Sequence, residues 1–105
     1  MAFYENTILI KQDITEKDLK IIKDKYDQII ASSGKVIKIE EWGLINLKKK
    51  IKNNKKAFYI HYKFEGTTNT LTEIEKKIKI DSAIIRHLTV KYRKLDTDNE
   101  YFKKN

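Results

Sequence analysis

Lysine is concentrated in one stretch of the chain, from Leu47 to Phe64, which contains seven lysines and no acidic residue. Ammonium groups that no carboxylate neutralises bind phosphates, and such binding weakens as salt is added. The second half of the stretch, FYIHYKF, is rich in aromatic residues, and bases of single-stranded or irregular RNA stack on aromatic rings. The pattern predicts RNA binding, and a hairpin whose lysines only aid solubility is the alternative. The predicted phosphate-binding residues of this stretch are Lys48, Lys49, Lys50, Lys52, Lys55 and Lys56.

Residues suited to catalysis or metal binding are few. His61 and His87 fall on different predicted strands, and the chain has no cysteine. Without cysteine or a His-x-x-x-His spacing, neither a zinc site nor a thiol nucleophile is expected. Acylphosphatases offer an enzyme alternative on a small α+β fold, but their phosphate loop needs glycine and arginine, whereas residues 11–13 read KQD. We therefore predict no enzyme activity, cofactor, metal or small-molecule substrate.

The overall composition also favours a polyanionic partner. A chain of 105 residues forms one domain, and its net charge of +8 with a pI near 9.5 is more easily understood if nucleic acid binds it. No apolar run approaches the roughly 20 residues of a membrane span, and no signal peptide is recognisable. We expect a soluble, non-secreted protein without a membrane partner.

The hydrophobic periodicity predicts six elements. Phe3 to Ile10 alternates as a strand, and a stripe at steps of three and four predicts a helix that is capped by Asp13 or Thr15 and ends before a left-handed Gly34. Further strands are expected over 36–50, with a bulge at Trp42 and Gly43, over 58–65 and over 84–92. A turn is expected at residues 53–54, and a second helix runs from about residue 71 to 79.

This order predicts an α+β fold of the ferredoxin-like βαββαβ type, in which a four-stranded antiparallel sheet carries both helices on one face. In the third strand Phe58, Ile60, Tyr62 and Phe64 alternate with residues 59, 61, 63 and 65, so one face should be buried and the other exposed to solvent. An open sheet face is where such a domain usually meets a partner, and Tyr59, Tyr4 or Phe3 are candidates to stack there on bases.

The RNA-recognition fold has the same topology and suggests a general RNA-binding module as the alternative function. Its third-strand signature matches residues 56–63, KAFYIHYK, only at Lys56 and Phe58. The second stacking aromatic and the small residues of that signature are missing.

Several short motifs resemble one known family. They are FYENT at 3–7, Gly34 followed by EWG at 41–43, Leu47, IKNNKKAFY at 51–59 and IIRHLTV at 84–90. Together they resemble the sixth protein of the bacterial small ribosomal subunit, and the match is collinear from residue 3 to about 93. The chain departs from the family pattern at residues 44–45 and 48–49.

This resemblance implies a ferredoxin-like structural protein that binds the central domain of small-subunit ribosomal RNA beside the small-subunit protein S-eighteen. It implies that Lys50, Lys52, Lys55 and Lys56 meet phosphate. Arg86 matches an arginine of the family and is also predicted to bind RNA. The residues expected at the partner interface or in a structural role are Tyr4, Trp42, Gly43 and Tyr59.

The resemblance also implies a place of action, the cytoplasmic bacterial ribosome, with a mitochondrial or plastid ribosome as the alternative. We expect a single RNA-binding domain over residues 1–94. Residues 95–105 contain two lysines and three acids without any periodicity, so we expect a mobile C-terminal tail.

Overall fold

The computed structural model describes residues 2–92, and the predicted tail at 95–105 lies outside the described residues. The strands pair antiparallel in the order β2-β3-β1-β4. The predicted ferredoxin-like βαββαβ arrangement is confirmed. The elements are β1 (Ala2–Lys11), α1 (Glu16–Ser33), β2 (Lys35–Ile51), β3 (Asn54–Gly66), α2 (Thr68–Ile80) and β4 (Ile84–Tyr92).

The first helix begins at one of the two predicted caps. The Thr15 side chain accepts a hydrogen bond from the Asp18 N–H at 3.2 Å, which satisfies one amide of the first turn. Ile22, Tyr26 and Ile30 form its buried stripe. The helix lies on the sheet because this apolar stripe must be removed from water.

The end of α1 differs from the prediction. Gly34 has φ −157° and ψ −154°, which is extended and not left-handed. Glycine is required there for another reason, because a Cβ at Gly34 would collide with the backbone oxygen of Glu65 on β3. The close approach of two backbones, rather than a special dihedral angle, explains this residue.

The main core lies between the helices and one face of the sheet. Tyr4 belongs to it, since its ring stacks on Phe64 with centroids 5.5 Å apart and only 6% of the residue is exposed. Tyr4 therefore lies on the helix side of the sheet and is not available to stack on bases. The other buried members of this core are Ile8, Ile10, Ile22, Tyr26, Ile30, Ile60, Tyr62, Phe64, Ile74, Ile78 and Ile84.

The second helix is tied to the first at one end. The Thr67 N–H donates to Thr70 Oγ1 at 3.1 Å, and this buried hydroxyl also lies 2.8 Å from Ser33 Oγ. At the other end Lys25 Nζ lies 3.2 Å from Asp81 Oδ2, and Tyr26 donates a weaker hydrogen bond to the same oxygen. Burial, together with the Asp81 charge, raises the pKa of Tyr26. These contacts join the two helices on one face of the sheet, and no helix of residues 2–92 lies on the other face.

Candidate nucleic-acid interface

A hairpin formed by β2 and β3 carries most of the predicted phosphate-binding residues. Its turn contains Lys52 and Asn53, whose φ values of +47° and +65° are left-handed, and Ile51 pairs with Asn54 across it. Two left-handed central residues define the tight hairpin turn that matches the twist of paired strands. The turn was predicted one position later, at residues 53–54. We call residues 47–56 the basic arm.

The lysines of the basic arm face solvent. All six are exposed, and within residues 2–92 none of them forms an ion pair. The arm has no acidic residue, so its six positive charges are uncompensated locally. An arrangement of this kind attracts a polyanion and can neutralise several phosphates at once.

The base of the arm is anchored by a small second core. Leu9, Ala57 and Ile85 are buried there, and Leu47, Ile51 and Tyr59 pack against them. This cluster lies on the side of the sheet away from the helices, because Leu9 and Tyr59 are cross-strand partners that alternate with core residues. We call that side the outer face. Apolar packing at Leu47 and Ile51 holds the lysines between them at defined positions.

Arg86 lies on the far side of the sheet from the arm. It is exposed and pairs with Leu9 across the β1/β4 ladder. β4 is an edge strand, and β1 separates it from the β2/β3 hairpin that carries the arm.

Aromatic rings on the outer face pack on one another. The Trp42 ring stacks on His61 with centroids 4.8 Å apart and an interplanar angle of 16°, and it lies 6.0 Å from the Tyr59 ring. Gly43 has φ +77° at the register shift between residues 41 and 43, which confirms the predicted bulge. The bulge directs Trp42 onto the outer face, where one side of the indole is already occupied by His61.

The outer face also holds buried charged groups, contrary to the prediction that it is exposed. Lys63 is 1% exposed and its Nζ lies 4.0 Å from Glu5 and 3.9 Å from Glu40, both of which are buried. Lys38 adds a second contact of 3.9 Å to Glu40. Two lysines and two glutamates balance, so this cluster contributes no net charge. The prediction failed because strand alternation assigns a residue to a face without saying what packs upon it.

His61 belongs to the same buried cluster. Its Nδ1 lies 2.7 Å from Thr7 Oγ1, and its Nε2 lies 3.7 Å from a carboxylate oxygen of Glu5. Burial, and to a lesser extent the charge of Lys63, lowers the pKa of His61 to about 4. The imidazole is therefore neutral at pH 7, and its approach to Glu5 is not an ion pair at that pH.

Some of these contacts were missed but follow from strand register. Glu5 is directly opposite Lys63 in the β1/β3 ladder, and opposite charges on directly paired residues stabilise a sheet. Glu40 is opposite the neutral His61 and contacts Lys63 diagonally, while Lys38 is the direct partner of Lys63 in the β2/β3 ladder. Pairing the strands residue by residue would have identified the Glu5–Lys63 contact, whereas the composition of each strand alone does not.

The described part of the chain shows no arrangement typical of metal catalysis. Within residues 2–92, no three His, Asp or Glu side chains are grouped so that they could hold a metal ion. Neither described helix is long and apolar enough to cross a membrane.

Comparison with known proteins identifies the family. The sequence profile described as ribosomal protein S6 matches residues 3–91. The chain belongs to the ribosomal protein S6 family. This family comprises structural ribosomal proteins and not enzymes, so the prediction that the chain is no enzyme is confirmed.

Relatives extend over nearly the whole chain. The small ribosomal subunit protein bS6 of Pelagibacter ubique is 38% identical, and the match covers 99% of this chain and 87% of the relative. The protein of the same name from Rickettsia prowazekii is 39% identical, with 100% and 88% covered. The resemblance found in the sequence motifs is thus confirmed, and the chain is assigned to the structural constituents of the small ribosomal subunit.

A solved structure supports the fold. The crystal structure of 30S ribosomal protein S6 from Thermotoga maritima superposes with a TM-score of 0.83 and covers 87% of each chain. Its sequence identity is 24%, so this likeness is evidence for the ferredoxin-like fold alone.

Proposed function

We propose that the chain binds the central domain of small-subunit ribosomal RNA through the basic arm, beside the protein S-eighteen. The observation that carries this proposal is the set of six exposed lysines that form no ion pair within residues 2–92 and lie on a hairpin anchored by the small second core. Membership of the ribosomal protein S6 family supports ribosomal RNA as the polyanion. The relatives are bacterial, so we place the protein in the cytoplasmic ribosome of a bacterium.

Neutralisation of phosphates is the source of affinity in this proposal. Each lysine that meets a phosphate releases condensed counterions, and the sheet keeps the lysines at fixed spacing. If the six arm lysines and Arg86 all bind phosphate, the slope of log affinity against log salt is between about −5 and −6. Base identity contributes little, because lysine ammonium groups read charge and RNA shape.

The outer face provides the surface for the protein partner. Trp42, Tyr59 and the bulge at Gly43 lie on it, and Ile45 and Leu88 expose 36% and 59% of their surface there. Exposed apolar groups beside aromatic rings are typical of the centre of a protein interface. Tyr4, which is buried on the opposite face, acts structurally through Phe64. If the partner completes the RNA site, each protein strengthens RNA binding by the other to the same extent.

The test is a binding titration with two charge-matched variants. One replaces four arm lysines by glutamine, and the other replaces four exposed helix lysines, so that both lose four positive charges. The arm variant changes Lys50, Lys52, Lys55 and Lys56. The control variant changes Lys17, Lys20, Lys77 and Lys79.

Binding is measured to a central-domain RNA fragment and to an unrelated RNA of equal length, with and without S-eighteen, across a salt series. We expect the arm variant to reduce the magnitude of the salt slope by about 3, and the control variant to leave it nearly unchanged. Equal loss in both variants would show that net charge, and not the arm, matters. Equal binding to both RNAs, unaffected by the partner, would favour a general RNA-binding module outside the ribosome.

A further inference from the structure

The end of β1 contacts the basic arm through a residue that neither the sequence motifs nor the family comparison assigns. The β1/β3 ladder ends at the pair Lys11 and Ala57, so residues 54–56 of β3 extend beyond β1. Gln12, the next residue after β1, extends this contact. Its backbone N–H donates to Asn54 Oδ1 at 3.0 Å, and its side-chain Oε1 accepts from the Lys56 N–H at 3.1 Å.

Asn54 extends this contact to the turn. Its Nδ2 donates to the carbonyl oxygens of Ile51 and Lys52, at 3.2 Å and 3.0 Å. A chain of hydrogen bonds thus runs from the last residues of β1 through Gln12 and Asn54 to the left-handed turn. It spans the part of β3 that has a strand partner on only one side.

We propose that Gln12 is a positioning residue that holds the tip of the basic arm in its RNA-binding conformation. This inference rests on the proposed function of the arm. A two-stranded ribbon that extends from a sheet bends and twists relative to it, and ordering such a ribbon upon binding reduces affinity. Because Gln12 bonds to both ends of the 54–56 segment, Lys52, Lys55 and Lys56 are already placed before RNA arrives.

The test variant is Gln12→Met, which keeps the length of the side chain but removes its acceptor oxygen. The matched control is Gln28→Met, at an exposed glutamine on α1. Two measurements are made on each protein: amide hydrogen exchange in the free protein, and affinity for the central-domain RNA fragment across the same salt series.

In Gln12→Met we expect the Lys56 amide to exchange about tenfold faster, while the Ile60 amide in the middle of β3 is unchanged. RNA affinity falls about three- to tenfold, and the salt slope stays as in the original protein because the same phosphates are contacted. If Gln12 acted only by contacting RNA and did not hold the Lys56 amide, affinity would fall without a change of exchange in the free protein.

Several outcomes overturn the inference. It is wrong if the Lys56 amide exchanges at its original rate, and equally if exchange accelerates while RNA affinity matches the Gln28→Met control. Weak binding of the unsubstituted protein to the RNA fragment would refute the proposed function instead, and the exchange measurement would still decide whether Gln12 fixes the arm. These results are distinguishable because exchange is measured without RNA.

Discussion

Acidification should destabilise this protein through one residue, His61. The imidazole is 1% exposed and packed between Thr7, the Trp42 ring and the buried charges of Glu5 and Lys63. Its pKa in the folded protein is about 4, against an ordinary value of 6.5. As pH falls below 6.5 the unfolded chain takes up a proton that the folded protein refuses, so the free energy of unfolding decreases.

The size of the effect follows from the two pKa values. The difference of about 2.5 units corresponds to about 3 kcal/mol in total, since one unit is about 1.4 kcal/mol. This contribution is complete above pH 6.5 and is lost progressively between pH 6.5 and 4. Between pH 7 and pH 5 the loss from His61 alone is about 2 kcal/mol, which lowers the melting temperature by roughly 10 °C in a domain of this size.

The assay is urea unfolding at pH 7 and pH 5 of the original protein and of His61→Gln and His87→Gln variants. Other groups titrate in this interval in all three proteins, so the comparison isolates the imidazole. From pH 7 to pH 5 the free energy of unfolding should decrease by about 2 kcal/mol less in His61→Gln than in the original protein. His87→Gln is the control, because it removes an exposed imidazole instead of the buried one. The reasoning is refuted if NMR titration gives His61 a pKa near 6.5 in the folded state, or if both variants respond to pH alike.

Four further substitutions test the packing of the sheet, each by equilibrium unfolding. Lys63→Met should lower the free energy of unfolding by about 3–5 kcal/mol, because two buried carboxylates lose the ammonium group between them. The control, Lys55→Met at the exposed arm, should change it by less than about 0.5 kcal/mol. Similar values for the two variants would contradict the buried cluster. Gly34→Ala should lower the free energy of unfolding by about 1–3 kcal/mol, since the added methyl group meets the β3 backbone. An unchanged denaturation midpoint would disprove that close approach. Gly43→Ala has open space around its Cβ and should cost only about 1 kcal/mol for the left-handed backbone, so a much larger loss would point to a contact that the structure does not contain.

The face of each strand residue could be predicted from sequence, but its surroundings could not. Alternation placed Tyr62 and Phe64 in the main core and His61 and Lys63 on the outer face, and both assignments hold. The burial of His61 and Lys63 depends on residues far away in sequence, such as Glu5. A period of two contains no information about which residue of another strand lies opposite.

At the tip of the arm, too, the sequence predicts exposure but not the contacts between side chains. The exposure of its lysines could be predicted, because unpaired charged side chains are costly to bury and therefore lie in solvent. The exact turn position depended on the side chain of Asn54, which bonds to the turn carbonyls instead of occupying the turn itself. The contact from Gln12 depends on β1 ending one residue short of the arm, and element boundaries of that accuracy are not encoded in local periodicity.

The two groups of lysines explain why net charge alone describes this protein poorly. Lys38 and Lys63 face Glu5 and Glu40, so their charges cancel within the outer face. The six arm lysines are not balanced in this way and equal three quarters of the net charge of +8. A field concentrated at one end of the molecule orients an approaching polyanion toward the arm, whereas the cluster of Lys38, Lys63, Glu5 and Glu40 adds no net charge. In the proposed function, charge therefore decides where RNA first arrives, and the apolar groups of the outer face are left to the protein partner.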